Sequence, residues 1–194
     1  MTKLGWTILA VIVLAAAAFG SMLSFGSGAP SPAARVKARV EPPAPRGVGM
    51  MVPVVGVQPH QLVDTWGQTR AGGARAHQAI DIAAPAGTPV VAAAAGTLEK
   101  LFKSEAGGIT LYVRSPDRGW SYYYAHLQGY APGVREGEAV RVGETLGFVG
   151  DTGNAGAGNT HLHFGIARMA AGDSWYGGEP VNPYPLLAGR RPPG

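Results

Sequence analysis

The sequence predicts a mostly β domain of short antiparallel strands, preceded by one hydrophobic helix at the amino terminus. Three observations carry that expectation. Glycine and proline number 30 and 16 in 194 residues, so turns are frequent and long helices are disfavoured. Between residues 50 and 188 no stretch sustains a helical apolar period, whereas short apolar runs recur between glycines. The one long apolar stretch, Leu4–Phe25, stands by itself near the start of the chain.

That first stretch is broken only by Gly5, Thr7, Gly20, Ser21 and Ser24, and it follows Lys3. Its length suits a bilayer crossing and exceeds the usual apolar run of a cleaved signal. Residues 1–25 are therefore read as a single-pass signal anchor, with a signal peptide cleaved near Ala16 or Ala18 as the alternative. Arg35, Lys37, Arg39 and Arg46 follow the apolar run and by the positive-inside tendency favour a cytoplasmic body. The early position of the run and Lys3 read as an export signal and take precedence. Residues 26–49 are rich in Pro and Ala without apolar periodicity and read as an extended linker. Residues 50–188 form the expected domain and 189–194 a tail.

Within the domain the expected strands are Thr88–Leu98, Ile109–Arg114, Trp120–His126, Val140–Val149 and Leu162–Arg168. No internal repeat is visible. The absence of cysteine excludes disulfides, Cys-based metal sites and thiol nucleophiles. The net charge of +4 belongs to the flanks, because residues 50–188 hold nine Lys/Arg against eleven Asp/Glu. A nucleic-acid module would concentrate its basic residues on the folded part, so no nucleic-acid partner is expected.

Chemistry concentrates on the histidines, of which the chain has five. His77 and Asp81 stand four residues apart just before an apolar run. His161 and His163 flank Leu162; on a strand both imidazoles share one face while Leu162 and Phe164 turn to the core. His126 closes the aromatic run Tyr122-Tyr123-Tyr124. The tyrosines read as core or wall, and His60 as structural or exposed. Singly, each histidine grouping is weak. Together they supply the ligand types zinc prefers, and three His/Asp ligands with one open position describe a catalytic zinc.

These residues sit in motifs that resemble the LytM/lysostaphin-type zinc metalloendopeptidases, which cut peptide bonds in bacterial peptidoglycan. The resemblance runs through Asp64-Thr65-Trp66-Gly67, Arg75-Ala76-His77, Asp81-Ile82-Ala83-Ala84-Pro85 and Gly87-Thr88-Pro89-Val90-Val91-Ala92. It continues through Tyr124-Ala125-His126-Leu127, Gly150-Asp151-Thr152-Gly153-Asn154 and His161-Leu162-His163-Phe164. It implies an antiparallel β-sheet lining a groove, with Zn2+ held by His77, Asp81 and His163. His161 and His126 match the two histidines beside the metal. His161 is the first choice of general base, with His126 assisting. The implied substrate places the protein in the cell envelope, anchored in the inner membrane and facing the periplasm or wall, or secreted if the signal is cleaved. Ala79 departs from the glycine usual in the family, which matters only if that residue needs positive φ.

Two rivals follow from the same residues. One is a wall-binding regulator of other hydrolases that keeps the fold, although such relatives generally lack ligands. The other is a biotinyl or lipoyl carrier, suggested by Ala84–Val90 and Val134–Glu144. Lys100 and Lys103 are the only lysines of the domain, and neither sits as a carrier lysine requires.

Overall fold

The computed structural model describes residues 50–73 and 75–189. The expected anchor and linker, and the last five residues, lie outside the described part. No helix among the described residues is long and apolar enough to cross a membrane.

The described chain is largely antiparallel sheet. A short hairpin pairs β1 (Thr69–Arg70) with β2 (Arg75–Ala76). The main sheet contains β3 (Ile80–Ala83), β4 (Pro89–Val91), β5 (Gly96–Ser104), β6 (Gly108–Arg114), β7 (Trp120–Tyr130), β8 (Ala139–Val140), β9 (Thr145–Val149), β10 (His161–Arg168) and β11 (Glu179–Val181). Its central path runs β11-β10-β7-β6-β5-β8; β3 also pairs with β10, while β9 pairs with both β7 and β4. One short helix, α1 (Pro183–Leu187), follows, and Asn182 caps it by accepting from the Tyr184 amide at 2.9 Å.

Two expected strands are each divided in the structure. Thr88–Leu98 becomes β4 and the start of β5, because the Ala92 and Ala93 amides bond Glu144 O and the Tyr124 hydroxyl instead of a ladder partner. Val140–Val149 becomes β8 and β9, separated by a turn in which the Arg141 amide donates to the Glu144 carboxylate. The aromatic strand also differs from expectation: it continues past His126 to Tyr130.

The core is made by alternation. On β10, Leu162 and Phe164 are fully buried and Ile166 nearly so. They meet Val90, Leu98, Leu111, Tyr124, Leu127, Leu146 and Val149 in one cluster. Burying each such aliphatic or aromatic side chain contributes about 1.5–3 kcal/mol. Tyr124 joins this core with its hydroxyl satisfied and its ring edge-on to Phe164 at 5.1 Å. The same alternation turns His161 and His163 to the opposite face.

β7 changes partners partway along. Residues 120–125 pair with β10, and Leu127–Tyr130 pair with β9. His126 sits at the switch with φ 61°, a left-handed value rare for a non-glycine residue. Its amide donates to Gly107 O at 2.8 Å. The loop after β9 packs against the turn before β6 at backbone contact. A side chain at Gly108 or Gly153, both at positive φ, would strike the opposing chain there.

Candidate metal centre

Register brings the candidate residues together. In the β3–β10 ladder Asp81 lies directly across from His163, and in the β7–β10 ladder Ala125 lies across from the same residue. His163 thereby stands between Asp81 and His126. His161 is one step away on the same face, and His77 reaches in from the segment before β3. All five sequence-predicted residues line one cavity of about 560 Å³, together with Arg70, Arg75, Tyr123 and Asn159. His60 lies apart, exposed in a 3₁₀ turn.

The main chain fixes three of the four tautomers. A carbonyl oxygen can only accept, so the ring nitrogen facing it carries the proton. His77 Nδ1 donates to Thr65 O at 2.8 Å, His126 Nδ1 to Thr152 O at 2.7 Å, and His161 Nδ1 to Asn159 O at 2.8 Å. Each neutral ring therefore has an unprotonated Nε2. Arg70 Nη2 also lies 3.2 Å from His77 Nδ1, but two donors face each other there, and that approach is packing rather than a hydrogen bond.

His77 Nε2, His163 Nδ1 and Asp81 Oδ1 converge. The two nitrogens are 3.0 Å apart, and Oδ1 lies 3.1 Å from His77 Nε2 and 3.0 Å from His163 Nδ1. Three lone-pair atoms at this spacing share at most one proton, on His163. A divalent cation satisfies all three at once, and an N, N, O donor set suits zinc. Burial favours a protonated Asp81, but His163 and His77 beside it outweigh that and hold the carboxyl well below the usual carboxylate range. Burial lowers the His163 imidazole, against the pull of Asp81.

The supporting contacts are as specific as the candidate ligands. Thr65 serves twice, because its carbonyl holds His77 and its Oγ1 accepts from the Asp81 amide at 2.9 Å. Arg70 donates to Asp81 Oδ2 at 2.7 Å, leaving Oδ1 for the cluster. Thr152 Oγ1 donates to Leu127 O and accepts from the Ile109 amide, which secures the loop carrying the His126 acceptor. Sequence reading did not single out Arg70 or assign these roles to Thr65 and Thr152. Both threonines lay inside motifs it did quote.

His126 and His161 form the other wall, their ring centroids 4.9 Å apart and that of His126 5.5 Å from His163. His161 Nε2 lies 3.7 Å from Asp81 Oδ1. Burial drops the His126 imidazole to about 4, so it stays neutral near pH 7 and presents an acceptor. Ala79 is buried and does not have positive φ, so alanine is unstrained at that position.

An antiparallel sheet bearing an open His-Asp-His cluster with two further imidazoles beside it has the architecture of a metallopeptidase. The chain belongs to peptidase family M23, the LytM-type peptidoglycan endopeptidase family, whose family description matches residues 75–183. It is similar to the L-Ala--D-Glu endopeptidase of Bacillus subtilis, 34% identical over 129 residues that cover 63% of this chain and 38% of that protein. It is also similar to the DD-carboxypeptidase/endopeptidase Mpg of Neisseria meningitidis serogroup B, 38% identical over 130 residues covering 66% and 25%. The chain thus spans well under half the length of these relatives. Among solved structures, the catalytic domain of the antimicrobial peptidase lysostaphin from Staphylococcus simulans superposes with a TM-score of 0.51 at 26% identity, covering 73% of this chain and 90% of that one.

Proposed function

We propose that the protein is a zinc-dependent endopeptidase that hydrolyses peptide bonds of bacterial peptidoglycan. The observation that carries this reading is the three-atom cluster of His77 Nε2, Asp81 Oδ1 and His163 Nδ1, faced by His126 and His161, whose Nδ1 atoms are each held by a main-chain carbonyl. A zinc ion held there supplies Lewis acidity, which makes water a nucleophile at neutral pH and polarises the scissile carbonyl.

The chain's own residues do the rest. His161 Nε2 accepts the proton of the attacking water and returns it to the leaving amine. Asn159 O holds that ring in the accepting tautomer. His126 Nε2 orients the same water; with its Nδ1–H committed to Thr152 O, it is an acceptor rather than an oxyanion donor. Arg70 keeps Asp81 turned so that a single oxygen faces the cluster.

The same reading places the domain outside the cytoplasm, tethered by residues 1–25 and the linker. Protease added to spheroplasts then degrades the domain, and a protected domain in otherwise accessible cells overturns this topology.

The test of the activity is incubation of the purified full chain with defined muropeptides, with and without a zinc chelator. Cleaved peptide bonds that disappear on chelation and return with added zinc are expected. Muropeptides left intact by the zinc-loaded protein would refute the reading and favour a wall-binding regulator.

A further inference from the structure

Beside the metal centre lies a second cavity of about 240 Å³, sharing Arg75, His77, Tyr123 and His163 with the first. Its walls are aromatic. Tyr112 and Tyr123 stand 4.6 Å apart between ring centroids, and Trp175 meets Tyr112 edge-on at 4.9 Å. Tyr176, 69% exposed, extends this surface by packing on Trp175 at 5.0 Å.

The segment carrying Trp175, between β10 and β11, is held in place. Asp173 Oδ2 accepts from the Ala170 amide at 2.6 Å, and the Gly177 amide donates to Ser174 O at 3.0 Å. Gly178 has φ 95°, and a side chain there would meet Met169 Sδ and Arg168 O. Ser121 also lines this cavity. It is 3% exposed, and its Oγ is buried without a hydrogen-bond partner among the described residues. An unmet buried hydroxyl is uncommon in a folded protein.

Charge points to the kind of ligand. Across both cavities the lining holds two guanidiniums and one carboxylate. That carboxylate, Asp81, is already engaged by Arg70 and the imidazoles. Arg75 lines both cavities, is exposed, and makes no ion pair or side-chain hydrogen bond among the described residues. An uncompensated cation between a reaction centre and an aromatic pocket selects an anionic group. Arg in particular binds carboxylates in a fork.

We propose that the second cavity is the specificity subsite for a residue adjoining the scissile bond, with a free carboxylate on Arg75 and its aliphatic part against the surface formed by Tyr112, Tyr123 and Trp175. The proposal rests on the peptidase reading and narrows its substrates to peptides whose carboxylate at that position is not amidated.

The experiment uses the zinc-loaded full chain and pairs of synthetic stem peptides. The members of a pair differ only in carboxylate versus carboxamide, on the residue before or after the scissile bond. Binding is measured by titration calorimetry and hydrolysis by product chromatography. For one of the two positions the carboxylate peptide should be favoured by about tenfold in both Kd and kcat/KM, the worth of one partly solvated charge-assisted hydrogen bond. In Arg75→Gln that ratio should fall to near unity with zinc content unchanged, and Arg75→Lys should retain part of it. A ratio that persists in Arg75→Gln, or its absence in the wild type at both positions, overturns the subsite. Preferential binding without hydrolysis supports the subsite while refuting the peptidase reading, and hydrolysis without preference does the reverse.

Discussion

Arg114 and Asp81 anchor ionic clusters at different places on the same sheet, and the two are completed in opposite ways. The Arg114 side chain is 2% exposed, and its Nε donates to Glu99 Oε2 at 2.7 Å. Glu99 also receives Arg118 at 3.2 Å, while the remaining Arg114 nitrogens reach the carbonyls of Arg118 and Ser174. Each nitrogen of the Arg114 guanidinium reaches an acceptor and both Glu99 oxygens receive a donor, so that cluster leaves no acceptor bare. Around Asp81 the acceptors outnumber the protons available to them. Enclosed charge therefore does not by itself mark a functional site. The mismatch does, because unpaired acceptors are costly unless a cation arrives.

The largest effect expected from this contrast is at the open cluster. His163→Ala, or loss of His77 or Asp81, should remove most of the zinc and take hydrolysis to background, read by elemental analysis and muropeptide turnover on one preparation. Full zinc occupancy in Asp81→Ala would break the ligand assignment. Next come the bare imidazoles. His126→Ala and His161→Ala should keep their zinc yet lose roughly 10²–10⁴-fold in turnover, the range for a lost general acid–base group. Zinc loss in the His161 variant with retention in the His163 variant would exchange their roles.

The closed cluster should respond in stability instead of activity. Glu99→Gln leaves the Arg114 guanidinium enclosed without its anion and should cost about 3 kcal/mol. Turnover per folded molecule should be unchanged, and chemical denaturation followed by turnover at low temperature separates the two. A variant as stable as the wild type would show that the carbonyls alone satisfy Arg114. The smallest effect belongs to Tyr122, on the strand that links the regions. Burial pushes its hydroxyl from 10.0 to about 12, and Asp117 adds to the shift. A raised folded value means the unfolded chain ionises first, so this contribution is present below pH 10 and is lost as pH rises toward 12. Tyr122→Phe should therefore blunt alkaline unfolding between about pH 10 and 12, followed by circular dichroism. Identical alkaline transitions would place the sensitivity on Tyr123 or Tyr124.

Much of the site was legible because side-chain period carries it. His161 and His163 two apart, with apolar Leu162 and Phe164 between and after them, announce a strand with one wet face. His77 and Asp81 announce a pair at the entry to a strand. What the sequence could not show is register: nothing in either segment says that Asp81 lies opposite His163. The partner change at His126 was also hidden, since a left-handed backbone at a histidine has no composition signal. The missed strand breaks have the same origin. Ala92 and Ala93 look like any small apolar run until distant Glu144 O and the Tyr124 hydroxyl claim their amides.

Three of the imidazoles take their protonation pattern from the carbonyls of Thr65, Thr152 and Asn159. A carbonyl is common to every amino acid, so this part of the apparatus is inherited from the path of the backbone and is indifferent to side-chain identity. For protein engineering the consequence is a division of labour. The groove can be relined at neighbouring positions without resetting any proton, provided the loops keep their trace. A single insertion in the 151–160 loop, by contrast, shifts two carbonyls at once and disarms His126 and His161 while leaving all five groove residues in the sequence.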